Sequence, residues 1–156
     1  MNDITELLNH TYNLCEDENF ENALEYFNTI LKKNPLNLDV LIDKGVTLAN
    51  IEEFDEAIRC YDKVLKIDPT NYNAWSNKGI AYHALEDYSN AIHCYDESLK
   101  IDPNSISSLL NKGLVLGELG MYDQSIWHFD RVLEYDVHNE IALSNRRLAL
   151  KLKNDG

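Results

Sequence analysis

A fixed 34-residue period predicts an all-α solenoid of stacked helix pairs for this chain. Three sets of columns carry that period. Lys44-Gly45, Lys78-Gly79 and Lys112-Gly113 recur at the same step. The aromatics Phe20, Phe54, Tyr88 and Tyr122 keep it, as do Phe27, Tyr61, Tyr95 and Phe129, with Ala23, Ala57, Ala91 and Ser125 between them. The segment Lys66-Ile67-Asp68-Pro69 returns as Lys100-Ile101-Asp102-Pro103. Periods in this range belong to units that cannot bury their apolar faces alone and therefore stack.

Each unit divides into two helices. Asn37, Asn71, Ser105 and Asn139 precede the first helix, where a short polar side chain accepts from an orphan amide of the first turn. Glu21, Asp55, Ser89 and Asp123 open the second helix, three of them acidic, as the helix dipole favours. Pro35, Pro69 and Pro103 stand just past its end, where proline stops it. Gly45 with Ala57, and Gly79 with Ala91, are small enough to let paired helices approach closely. Ile58, Tyr61 and Leu65, then Ile92, Tyr95 and Leu99, form the buried stripe of the second helix.

Trp75, Gly79, Tyr82, Ala91, Tyr95 and Pro103 together resemble the tetratricopeptide repeat, with Lys78 and Ser98 departing from its usual leucine and alanine. The resemblance implies a right-handed α-α superhelix, a single domain over 1–156. Its four helix pairs fall at about 4–37, 38–71, 72–105 and 106–139, with a capping helix at about 140–153. Thr11 replaces glycine in the first unit and Val137 replaces proline in the fourth. Arg147 fills the glycine column of the cap, as expected where no second helix packs against it.

Composition narrows the function. A formal net charge of −13 argues against nucleic acid and anionic membranes as partners. No apolar run reaches the roughly 20 residues of a membrane span, and the first residues lack a signal-peptide pattern. Cys15, Cys60 and Cys94 form no CxxC and leave one over, which fits a reducing cytoplasm. Cys60, Cys94 and His128 share a column, but equivalent points on stacked helices lie about 8–10 Å apart. Zinc needs ligands at about 2.0–2.3 Å, so helix packing is the expected role, with Tyr26 as the first member. Glu52, Glu53, Asp55 and Glu56 read as solvated caps. No phosphate loop or catalytic set is visible, and neither enzyme activity nor a cofactor is expected.

The free face of the first helices carries the candidate site. Asn9, Asp43, Asn77, Asn111 and Asn145 form one column on it. Asparagine is a mediocre helix former, and its amide can both donate to and accept from a peptide bond. The column resembles the asparagine ladder of some tetratricopeptide superhelices, including the protein O-linked N-acetylglucosamine transferases. That likeness implies grip on a peptide backbone; bonding within the stack is the alternative. Leu8, Tyr12, Ile42, Val46, Ile80, Leu110 and Leu114 flank the column, with His83 and Ser76 among them, as an apolar peptide-binding groove. A basic column, His10, Lys44, Lys78, Lys112 and Arg146, is expected to pair with nearby carboxylates.

The family's carboxylate clamp for Hsp70 and Hsp90 tails is missing. Leu8, Tyr12, Asp43, Asn73 and Asn77 stand in its places. The chain therefore reads as a monomeric adaptor holding an extended or helical segment of a partner protein. The alternative is a structural or self-associating subunit whose groove a neighbour fills.

Overall fold

The computed structural model describes residues 2–155, with side chains from residue 4. Among them nine helices follow one another: α1 (Asn2–Glu16), α2 (Phe20–Lys33), α3 (Leu38–Asn50), α4 (Phe54–Ile67), α5 (Tyr72–Ala84), α6 (Tyr88–Ile101), α7 (Ile106–Glu118), α8 (Tyr122–Tyr135) and α9 (Glu140–Asp155). The described residues contain no strand. Each helix packs on the next in sequence. The odd-numbered helices also touch one another from α3 to α9, forming one continuous layer of an all-α solenoid.

Helix ends follow the sequence closely. Asn37, Asn71, Ser105 and Asn139 accept from the amides of Val40, Ala74, Ser108 and Ala142 at 3.2, 2.9, 3.4 and 3.0 Å. The turns within each pair share a second device. The amides of Asn19, Glu53, Asp87 and Met121 reach back to the carbonyls of Leu14, Leu48, Tyr82 and Leu116 at 2.8–2.9 Å. This closure puts the preceding residue in the left-handed region. Glu18, Glu52 and Glu86 occupy it at φ 56°, 64° and 58°, and Gly120 takes the fourth place at φ 73°. Glu52 is thus more than a solvated cap: it holds the turn at a backbone cost.

The core is built from one ring per unit. Phe27, Tyr61, Tyr95 and Phe129 are essentially inaccessible to water. A Cβ on Gly45 would lie 2.5 Å from Cε1 of Tyr61, and one on Gly79 would lie 2.5 Å from Cε1 of Tyr95. The Gly113–Phe129 contact repeats the arrangement, with 2.8 Å to Cε1. The small residue therefore makes room for an aromatic ring, and Ala57 and Ala91 are buried beside it. Ile58 and Leu65 are buried, whereas Ile92 and Leu99 are only part-buried. In the first unit Thr11 is buried and donates to the Leu7 carbonyl at 2.6 Å.

Ser98, which stands where the family prefers alanine, is also buried and fully used. Its hydroxyl donates to the Tyr72 carbonyl at 2.9 Å and accepts from Ser108 at 2.7 Å. A buried hydroxyl with partners on both sides avoids the cost of an unsatisfied polar group. It joins α6 to both neighbouring first helices.

Two substitutions test these contacts. Gly79→Ala should cost a net of about 1–2 kcal/mol in a urea melt, because the buried Tyr95 ring cannot yield, even after alanine's helix advantage. An unchanged midpoint would mean that the ring has room to move. Glu86→Gly should do the opposite and raise stability by roughly 0.5–1 kcal/mol, by relieving the left-handed backbone. A lower melting temperature for that variant would show the side chain to matter more than the backbone.

Candidate protein-binding groove

The first helices of the pairs present their columns on one face. Asn9 is exposed, and Asn77, Asn111 and Asn145 are half-buried. The Asn111 amide donates to the Ser107 carbonyl one turn back at 2.9 Å, and Asn145 donates to Ile141 in the same way. Each keeps its carbonyl oxygen unbonded among the described residues. Asn9 and Asn77 make no side-chain hydrogen bond there. Asp43 differs, accepting from the Tyr12 hydroxyl at 2.8 Å. Burial pushes the Tyr12 phenol up to about 12, and the Asp43 bond adds to this. Burial also raises the Asp43 carboxyl, outweighing the hydrogen bond that lowers it.

The apolar flank is half open. Tyr12, Val46 and Ile80 are exposed, and Leu8, Ile42, Leu110 and Leu114 are part-buried. His83 is part-buried, its Nε2 at 3.0 Å from Glu118 of the next unit. Ser76 does not belong to the open face. It is buried between first helices, with its hydroxyl 3.1 Å from that of Ser107. Its small size lets α5 and α7 close over it, so a groove position became a joint.

The basic column leaves this face altogether. Lys78 and Lys112 reach Asp62 and Asp96 on the preceding second helices at 2.6 and 2.5 Å, and Arg146 pairs with Asp130. Lys44 meets Asn28 at 2.7 Å, and the His10 ring packs edge-on against Tyr26. Burial alone would lower the Lys78 ammonium, but Asp62 outweighs it and holds the group above its ordinary range.

Sequence reasoning missed one part of the face. Gly113, Leu114, Gly117, Glu118, Phe129, Leu148 and Leu152 border a cavity of about 340 Å³ where α7, α8 and α9 meet. Leu148 stands one period beyond Leu114, so the column itself is legible. A terminal helix reads as a cap, however, and that reading hides its contribution to the face. Leu148 and Leu152 are in fact exposed, as are Ile141 and Leu143. At the other end Tyr12, Cys15, Glu16, Asp43, Val46 and Asn50 help line a cavity of about 310 Å³.

The column of candidate metal ligands is a packing column. Burial raises the Cys60 thiol and pushes Cys94 up to about 11, which disfavours the thiolate that binds metal or attacks. No group of three potential ligands converges among the described residues. His128 is buried with Nδ1 unbonded. Burial, and then nearby Lys112, push it down to about 4. A histidine depressed on folding stabilises fully above its unfolded value near 6.5 and loses that contribution as pH falls toward 4. Linkage bounds the loss at about 3 kcal/mol. His128→Cys, which restores the residue of the two preceding units, should melt with a shallower pH dependence between 6.5 and 4. Parallel pH profiles for the two proteins would contradict this assignment.

Comparison with known proteins fits the repeat geometry. Three family patterns match: a tetratricopeptide repeat at residues 72–105, a TPR repeat at 47–86 and another tetratricopeptide repeat at 94–126. None of the curated proteins compared matches the chain. Among solved structures, MamA is 21% identical with a TM-score of 0.83, over 99% of this chain and 85% of its own. A tetratricopeptide repeat protein from Parabacteroides merdae ATCC 43184 is 22% identical with a TM-score of 0.83. That match covers 99% of this chain and 62% of the other. The first TPR of Spaghetti (RPAP3), bound to the HSP90 peptide SRMEEVD, is 24% identical with a TM-score of 0.71, over 73% of this chain and 90% of its own. At such identities the likeness shows the fold. With three such patterns together spanning residues 47–126 on a solenoid of helix pairs, the chain belongs to the tetratricopeptide repeat family.

Proposed function

We propose that the chain is a protein-interaction module that holds an extended segment of a partner along the face of its first helices. The carrying observation is the amide column. Asn9, Asn77, Asn111 and Asn145 make no side-chain bond to a neighbouring unit among the described residues. The stack therefore gives no reason for them, and their free oxygens suit the amides of an extended strand. The flanking apolar side chains would cover such a strand. The RPAP3 domain, of the same fold, is bound to a peptide.

An acidic chaperone tail is a poor occupant. Lys78, Lys112 and Arg146 are committed to aspartates on the second helices. A terminal carboxylate would therefore meet Asp43 and Glu118 instead of a bidentate cation. A second reading, a self-associating subunit, draws on the exposed Ile141, Leu143, Leu148 and Leu152 of α9. Light scattering without a partner separates the two, since the adaptor reading expects a monomer.

Asn77→Ala with Asn111→Ala should weaken capture of the partner about ten- to a hundredfold, or roughly 1–3 kcal/mol for a few lost hydrogen bonds. Alanine is the better helix former, so the melting temperature should hold or rise. Lower stability with unchanged affinity would end the backbone-ladder reading.

A further inference from the structure

Glu16, Asp39, Asp43 and Glu118 lie in the columns of the first helices beside the amides and apolar side chains. Among the described residues no lysine or arginine pairs with any of them. Asp43 is met by the Tyr12 hydroxyl and Glu118 by His83. The first cation in these columns is Lys151, one period beyond Gly117. The face is therefore acidic while the neighbouring cations are drawn onto the second helices. An acidic surface whose carboxylates have no lysine or arginine partner selects a basic partner and speeds its approach.

One end of this face is also a pocket. The cavity of about 340 Å³ is walled by Leu114, Phe129, Leu148 and Leu152, floored at Gly117, and bordered by Glu118. Its volume matches that of about ten waters, and its lining is mostly apolar, with Ser125 and Asn145 as further polar members. Leu148 and Leu152 are exposed, so an occupant would cover apolar surface that water now meets. Pockets with apolar walls are where single anchor side chains concentrate binding energy.

We infer that this cavity takes a bulky apolar side chain of a basic peptide segment, whose lysines or arginines lie along the carboxylates toward α3. The inference rests on the first-helix face being a peptide site, and it names the partner's chemistry. Two helix steps of about 8–10 Å separate the α7 pocket from Asp43 on α3. An extended strand spans that distance in about six residues. The anchor and the basic residues should stand about that far apart.

Selection from a random 12-residue phage-displayed library against this chain tests the inference. The enriched peptides should pair a leucine, methionine or aromatic with lysine or arginine about six residues away. Fluorescence anisotropy of the best labelled peptide should show at least tenfold weaker binding to Leu148→Ser, and again to Glu118→Lys. Both positions are exposed, and unchanged thermal melts would certify the fold. Enrichment of acidic peptides, or binding indifferent to both variants, would overturn the inference. If such peptides still lost affinity on Asn77→Ala with Asn111→Ala, the peptide-site reading would survive without it. A library that yields no binder would sink both.

Discussion

Three of the four helix pairs are set by an aromatic ring pressed where the facing helix has no side chain. Tyr61 over Gly45, Tyr95 over Gly79 and Phe129 over Gly113 leave no space for a methyl group without movement of a buried ring. That contact fixes the distance and rotation of the first helix against the second. Rotation then decides what the first helix shows to water: with the glycine edge turned inward, the columns through Asn77 and Ile80 face away from the second helix. Interiors are close-packed, so the setting tolerates little slack. The first unit, with Thr11 in place of glycine, satisfies its hydroxyl on its own helix at Leu7.

The joints between units follow a different chemistry. Apolar contact continues through Val40, Ala74 and Ala142, each buried against the preceding second helix, while Leu41 and Leu109 join clusters with the second helix of their own unit. Polar pairs are added around it. Lysine in the column usually held by leucine lays its stem along the joint and ends on an aspartate of the preceding helix. Partly exposed pairs of this kind contribute little stability, so their larger effect is on charge placement. They hold Lys78, Lys112 and Arg146 at the joints. The carboxylates of the first-helix face are left without cations, and that imbalance gives the face its sign.

The repeat was legible because its signals are local and redundant. A cap, a glycine, an aromatic and a proline recur along the chain, and each has one physical reason to be there. The asparagine and lysine columns were equally visible, and Lys78 and Lys112 met the carboxylates expected of them. What escaped depends on three dimensions at once. Ser76 looked like its groove neighbours, yet faces Ser107 across a closed joint. Glu52 looked like one more surface acid, yet its backbone is left-handed because the turn closes on Leu48. The cavity at Gly117 needs three helices to define it, and no period in the sequence marks an empty space. The ring partner of Gly45 was missed for a related reason: small residues suggest each other, whereas the gap left by glycine is filled by something large.

The two ends of the first-helix face consequently offer different chemistry on one repeated frame. Toward α1 and α3, Tyr12 and Asp43 bridge neighbouring helices, and burial holds both protons more tightly than in water. A carboxylate kept ionised there is poorly solvated and gains most from an incoming cation. Toward α9 the equivalent columns carry Leu114 and Leu148, and Gly117 replaces the larger His83 of the preceding unit. Losing that side chain opens a space whose walls are mostly apolar, with Glu118, Ser125 and Asn145 at its polar edge. Electrostatic attraction acts over several ångströms and sets approach and direction, while a socket acts only on contact and sets register. A repeat whose units were identical would offer neither a direction nor a register. Here substitutions at a few columns supply both, and they leave the ring-and-glycine contacts beneath untouched.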